Sequence, residues 1–558
     1  MIDSASSALS NSFSATPKLT YPIGVTQLYG LCGMDDQFLC LDRIHGYVVK
    51  IDPLTDNTSI LNINHTSIFR DANSISYDGQ WLWYTKGDRV YRCTLGTWAP
   101  EFVADLPDRV EGIGVWGQTL YVSSERRGVI FVLNGETGQY ITQFRSPGVG
   151  LEGITVDQDR LWVCDREEQT IFCLDRATGE ELFSLLTPFE NPTGVAVIET
   201  QGDRGQLWVL YSGDERFIKD DPNSSDPYRL AVRDRSRLQR LSYQRHHPPH
   251  RSYTRSSGYR VEMCYVEELS PLDPMILNQV EWRIALPSPS DRQRVISVEP
   301  FGVPYTEEEQ DGQRVAVFRF DELTENTRHV FGWRAVLDLY SIKYQVLPQD
   351  VQEEEPLPPG FDRYLVDNED LSMEHPTVQT AAQDARRSET NPLRVMLCIR
   401  DYVYDRLSYR IRPHITPPHE VLDRGTGSCG EYVGVLLALS RLNGIPCRTI
   451  GRYKCPKDPD HFHIPLEPDY NHVWLEFYLP GVGWLPMESN PDDLGYGPYP
   501  LRFFMGLAWY HVEIGKGIRF EQVLVDGTPI KEMPGDLSIG NLAMNHVRFK
   551  ILGEIEPE

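Results

Sequence analysis

Cys429 stands in Gly427-Ser-Cys-Gly-Glu-Tyr432, where a glycine-rich approach runs into a segment that reads as one helix. Tyr432, Val435, Leu436 and Leu439 recur at helical spacing, and Val433, Leu437 and Leu442 make the helix apolar nearly all round, so it is expected to be buried. Asn443-Gly444 supplies a stop, and Pro446 bars continuation. A thiol at the amino end of such a helix feels the positive end of the macrodipole, which favours thiolate, the nucleophilic form of cysteine. The bland alternative is a small buried cysteine beside a tight turn.

Downstream, His472, Trp474, Glu476 and Tyr478 alternate with Val473, Leu475, Phe477 and Leu479, the pattern of a strand. Pro480-Gly-Val-Gly483 reads as a turn, and Trp484 to Met487 as a second strand ending at Glu488. A histidine that begins one strand and a carboxylate that ends its neighbour can lie side by side, so the carboxylate can orient the imidazole. Thiol, imidazole and acid then make a nucleophile, a base and a third group. Cys447, Cys455, His461 and His463 invite a zinc reading, but seven residues separate the inner cysteine pair, which is no usual zinc spacing, and no metal is expected.

Gly427-Ser-Cys429, Leu442-Asn-Gly-Ile-Pro-Cys-Arg448, His472-Val-Trp474 and Gly483-Trp-Leu-Pro-Met-Glu488 together resemble the core of the transglutaminase-like superfamily, a papain-related α+β fold. The resemblance covers about 200 residues at the C-terminal end and implies Cys429 as nucleophile, His472 as its base and no cofactor. The third member in that family is usually Asp; register puts Glu488 there, with Asn490, Asp492 and Asp493 as alternatives. The implied chemistry is attack on an amide carbonyl of a peptide or protein, a thioester intermediate, and resolution by water or by an amine. Two readings compete: a catalytically inactive scaffold or binding protein, and a chain whose N-terminal repeat region is the enzyme or the main ligand-binding surface.

The elements that must position these residues belong to a chain of 558 residues, too long for one core. A formal charge of −26 argues against nucleic acid and anionic membranes as partners. No run of about 18 apolar residues offers a membrane span, and the first ten residues lack a basic start and an apolar stretch, so the expected compartment is the cytoplasm. Ten scattered cysteines fit a reducing environment.

A repeat fills the N-terminal part. Phe38-Leu-Cys-Leu, Leu82-Trp-Tyr-Thr, Leu120-Tyr-Val-Ser, Leu161-Trp-Val-Cys and Leu207-Trp-Val-Leu begin 44, 38, 41 and 46 residues apart. Short strands in units of about 40 residues read as a β-propeller, similar to NHL and YVTN types. Five blades are expected, or six if residues 215–245 form an irregular one. Nine residues before the strand signal stand Tyr29, Asn73, Glu111 and Glu152, with Thr193 at the matching place in the fifth copy. Such positions ring one mouth of a central channel, where Asn73, Glu111 and Glu152 could bind a ligand or merely satisfy backbone groups.

The expected organisation is a disordered tail over 1–17, a propeller over 18–245 serving as a protein-binding module, a linker over 246–258, a small β-sandwich over 259–348, an acidic Pro-rich linker over 349–360 and the transglutaminase-like domain over 361–558. His246, His247 and His250 lack accompanying ligands for a metal.

Overall fold

The computed structural model describes residues 19–25, 27–198, 205–220, 223, 228–269, 276–412, 414–457, 461–533 and 537–558; the expected tail over 1–17 lies outside them. The chain divides into two compact units, the first comprising Met1–Glu167, Ile171–Leu182 and Glu190–Leu241, the second Glu168–Thr170, Phe183–Phe189 and Ser242–Glu558.

Strands built from the repeat form four-stranded antiparallel sheets. Leu28–Met34, Gln37–Asp42, Tyr47–Ile51 and Thr58–Ile60 make the first, and three more sheets of consecutive strands begin at Ala72, Ile113 and Leu151. A fifth joins the strand Leu19–Thr20 to Tyr228–Arg240, Gln206–Asp220 and Pro192–Ile198, so the two ends of the repeat region share one sheet. The leading strands touch in sequence. Leu28–Met34 packs on Ala72–Tyr77, then come Ile113–Trp116, Leu151–Asp157 and Pro192–Ile198, and the last returns to Leu28–Met34. Gly112 and Gly153 allow this closeness: a Cβ on Gly112 would lie 2.0 Å from the Glu152 carbonyl oxygen, and one on Gly153 2.9 Å from the Gly194 Cα. Among the described residues, the segment expected as an irregular sixth blade over 215–245 builds no sixth sheet, because the strands Gln206–Asp220 and Tyr228–Arg240 stay paired out to Asp220 and Tyr228 in the fifth and Tyr243–His246 pairs elsewhere.

In the second unit, Ser252–Leu269 pairs along its length with His329–Gln345, which corrects the linker expected over 246–258. The Ser-Tyr-Thr-Arg-Ser-Ser run looked like a linker because it is polar, yet Thr254, Ser256 and Ser257 are buried. Small hydroxyl residues bury cheaply when a carbonyl accepts their proton, as Ser184 O does from Thr254 Oγ1 at 2.6 Å. A second sheet runs Thr306–Gln310, Gln313–Thr324, Ile276–Ala285 and Glu521–Val525. The two sheets meet through aromatic rings, with Trp282 and Phe318 at 5.3 and 4.8 Å from Phe331.

Two C-terminal strands depart from expectation. Glu521–Val525 pairs with Ile276–Ala285, and Ala543–Ile555 pairs with Ser252–Leu269. The end of the chain therefore adds strands to the two sheets of the preceding region, while Phe462 and Leu466 also bridge to Ile551 and Phe549. Alternation alone identifies a strand, not its partner.

The remaining part is α+β. Helices Pro376–Arg386, Pro392–Arg406, Pro418–Arg424 and Cys429–Leu442 pack beside a sheet ordered Gly483–Met487, His472–Leu479, Cys447–Lys454, His511–Val512. Their common core includes Met396, Ile399, Tyr432, Leu436, Trp474 and Phe477, all fully buried.

Candidate active site

Gly425 ends the helix Pro418–Arg424 at φ 72°, and its N–H donates to Val421 O at 2.9 Å. A left-handed residue there is least costly as glycine. Thr426–Gly427 then runs parallel to Ser408–Tyr409, and the helix starts at Cys429. Its first turn is tied from within: Ser428 N–H donates to Glu431 Oε2 at 2.8 Å, while Glu431 Oε1 accepts from Thr416 N–H, Thr416 Oγ1 and Arg424 Nη2 at 3.1, 2.7 and 2.9 Å. The loop carrying the thiol is thereby fixed on both sides.

Across from it, Cys447–Lys454 pairs with His472–Leu479, with Arg452 opposite His472, and Leu475 lies opposite Met487 on the next strand. Continuing that register sets Glu488 diagonal to His472 on one sheet face. His472 Nε2 lies 3.1 and 2.9 Å from the two Glu488 oxygens. Its buried Nδ1 meets no nitrogen or oxygen donor or acceptor and is the nitrogen left to serve the thiol.

The electrostatics follow from these contacts. Burial pushes the Cys429 thiol up, but hydrogen bonding to His472, the imidazole's charge and the Val473 backbone outweigh it, leaving the pKa below its ordinary 9.0. Burial draws His472 down, yet the Glu488 charge wins and raises it above 6.5. Burial favours the neutral form of Glu488, while the charges of His472 and Lys454 and hydrogen bonds from His472 and His511 hold it well below the carboxylate range. By contrast Cys32, Cys93 and Cys447 are pushed up to about 12 by burial.

Of the alternative acids, none touches His472. Asp492 accepts from Arg502 Nε at 2.7 Å and Phe503 N–H at 3.2 Å, and Asp493 from the Tyr432 hydroxyl at 2.7 Å. Asn490 Oδ1 accepts from Ser489 Oγ at 2.9 Å. Sequence reasoning missed three contributors. Glu431 was visible as the fourth residue of a Ser-x-x-Glu capping box. Lys454 Nζ at 2.5 Å and His511 Nε2 at 2.6 Å both reach Glu488 Oε1, and no local pattern marks either, since Lys454 ends a strand that also carries Arg448 and Arg452.

Beside the thiol loop opens a cleft of about 1040 Å³, floored by Val433 and Leu437 and reaching Gly430 and Val473. Asp367, Glu369, Asp370 and Glu374 line it, with no lysine or arginine among the described residues. Glu369 pairs with Arg441 at 2.6 Å, and Asp367 accepts the Leu371 and Met373 N–H groups.

In the first unit, Asn73 Nδ2 donates to Val110 O at 2.6 Å and its Oδ1 accepts from Arg43 and Arg109. Glu111 accepts the Glu125 N–H at 2.9 Å, and Glu152 stands 3.9 Å from Arg166. Burial lifts Glu111 to about 7 and Glu152 to about 8, against the nearby guanidiniums. Thr193 Oγ1 donates to Leu28 O at 3.1 Å. Among the described residues no group of three or more His, Cys, Asp or Glu is arranged to hold a metal, and no helix is long and apolar enough to cross a membrane.

Residues 379–489 match the family model of the transglutaminase-like superfamily. No curated protein matches the chain. Among solved structures, a candidate cysteine protease from Cytophaga hutchinsonii is 16% identical over 54% of this chain and 93% of its own, with a TM-score of 0.38. Glutaminyl cyclase from Myxococcus xanthus is 11% identical over 40% of this chain and 96% of its own, with a TM-score of 0.29. Neither likeness is close enough to carry an argument.

Proposed function

We propose, from the premise that residues 379–489 are a transglutaminase-like domain, that the protein is a cysteine-dependent enzyme acting on amide bonds of peptides or proteins through a thioester. One observation carries the reading: the thiol of Cys429, lowered in pKa at the start of a buried helix, meets His472, whose other nitrogen rests on the buried Glu488.

His472 Nδ1 takes the thiol proton, and the Cys429 thiolate adds to the amide carbonyl. The Cys429 N–H, among the first amides of the helix and so without an intrahelical acceptor, stabilises the oxyanion. As the C–N bond breaks, His472 returns its proton to the leaving nitrogen, and the acyl group remains as a thioester. Water, or an amine, then attacks the thioester while His472 accepts its proton and returns it to the sulfur; an acid or a new amide leaves and the thiol is restored. Glu488 keeps the imidazole oriented and stabilises its protonated form.

The five sheets of the first unit are read as a five-bladed propeller, supported by the closed succession of leading strands, and that propeller is taken as the module for a protein partner. The test is peptide release and dansyl-cadaverine incorporation by wild type and Cys429→Ala. Loss of both activities in the variant is expected; retention of either excludes Cys429 as the nucleophile.

A further inference from the structure

We propose that Lys454 and His511 are positioning residues of this site, which together hold the Glu488 carboxylate in place behind His472. The inference rests on the assignment of Cys429 and His472 above.

A glutamate has one more rotatable bond than the aspartate usual at this place, and holding it in one orientation costs side-chain entropy. The sheet provides the means. Lys454 is directly opposite His511 across the pairing of Cys447–Lys454 with His511–Val512, so both side chains leave the sheet on the same face. Glu488 Oε1 receives Lys454 Nζ at 2.5 Å and His511 Nε2 at 2.6 Å as well as His472 at 3.1 Å. Oε2 receives His472 at 2.9 Å and the Ser489 N–H at 3.0 Å. Five contacts from three strands and the chain itself saturate a carboxylate.

His511 is fully buried, edge-on to Trp474 at 5.1 Å and Phe503 at 5.5 Å. Its Nδ1 lies 3.0 Å from Ala508 O, so both ring nitrogens face acceptors. Burial and the Lys454 charge draw its pKa down to about 3. The shorter contact, to a charged oxygen, fixes the neutral ring's proton on Nε2. Lys454 has a further effect: its charge opposes that of Glu488 in raising His472. The other titratable groups that sense Glu488 are Cys429 and Tyr404 on the helices and Tyr409 and Tyr470 beside the thiol.

Removing the Lys454 charge leaves Glu488 free to strengthen its hold on the imidazolium. The experiment follows the rate of Cys429 alkylation by iodoacetamide from pH 4 to 10, located by mass spectrometry, alongside peptide release and melting, in the full chain. Lys454→Met is expected to move the His472-dependent limb upward by roughly one pH unit, the usual effect of one nearby charge, and Lys454→Arg to restore it. His511→Phe keeps an aromatic ring but no donor, and is expected to shift the limb the same way; His511→Gln, which keeps a donor, stays near wild type. Superimposable wild-type and Lys454→Met profiles would overturn the proposal, as would equal behaviour of the Phe and Gln variants. Should His511→Phe not fold, the Lys454 pair decides. If wild-type Cys429 reacts no faster than the other cysteines, it is the underlying assignment that fails.

Discussion

Glu488 is a fully buried carboxylate and Glu152 a largely buried one, yet the first is held well below the ordinary range and the second is lifted to about 8. Burial alone raises both. The difference lies in distance and donor count: Glu488 has a lysine at 2.5 Å and two imidazoles within 3.1 Å, whereas the nearest guanidinium to Glu152 is at 3.9 Å and Glu111 and Glu125 add like charge. A buried acid keeps its charge where the fold brings donors to contact and surrenders it where they stop short.

The comparison breaks most severely at the thiol. Cys429→Ala should lower the amide-cleaving rate by about five to six orders of magnitude, read as kcat/KM on a peptide substrate. Glu488→Gln, which keeps the shape and removes the charge, should cost roughly 10³- to 10⁴-fold in kcat; a rate near wild type means that some other group orients His472. In mild iodoacetamide near neutral pH, Cys429 should be alkylated ahead of Cys447, because one pKa is lowered and the other stands at about 12. Equal labelling in the mass spectrum contradicts the electrostatic account.

On the other side of the comparison, a raised folded pKa means that Glu152 contributes fully below the unfolded carboxylate pKa and loses that contribution as pH rises through about 8. Glu152→Gln should therefore raise the melting temperature by a few degrees at pH 8.5 and change it less at pH 5; an equal effect at both would place the carboxylate's influence elsewhere. The smallest expected effect concerns the acidic cleft. Asp370 and Glu374 make no ion pair among the described residues, so a peptide with Lys or Arg near the attacked amide should react about two- to fivefold faster than its acidic counterpart, less so in high salt. Asp370→Asn with Glu374→Gln should narrow the gap.

Much of the site was legible because its parts sit where local pattern is strongest. The helix after Cys429, the strand from His472 and the strand ending at Met487 each announce themselves by period. The repeat likewise announced its strands, though the segment 215–245 was ambiguous until the pairing of its described residues was known. Lys454 and His511 were not legible as neighbours of Glu488: 34 and 23 residues separate them from it, and nothing in a strand's alternation names the strand beside it.

The sequence by itself determined the helix after Cys429 and the strands that begin at His472 and end at Met487, and that a thiol, an imidazole and an acid stand at their ends, since periodicity and caps are local. Only the tertiary structure decided which acid meets His472, what else holds that acid, and that the last strands complete the sheets of an earlier region. These are matters of register and of a few ångströms between distant residues, which depend on how whole strands pair and not on any one of them.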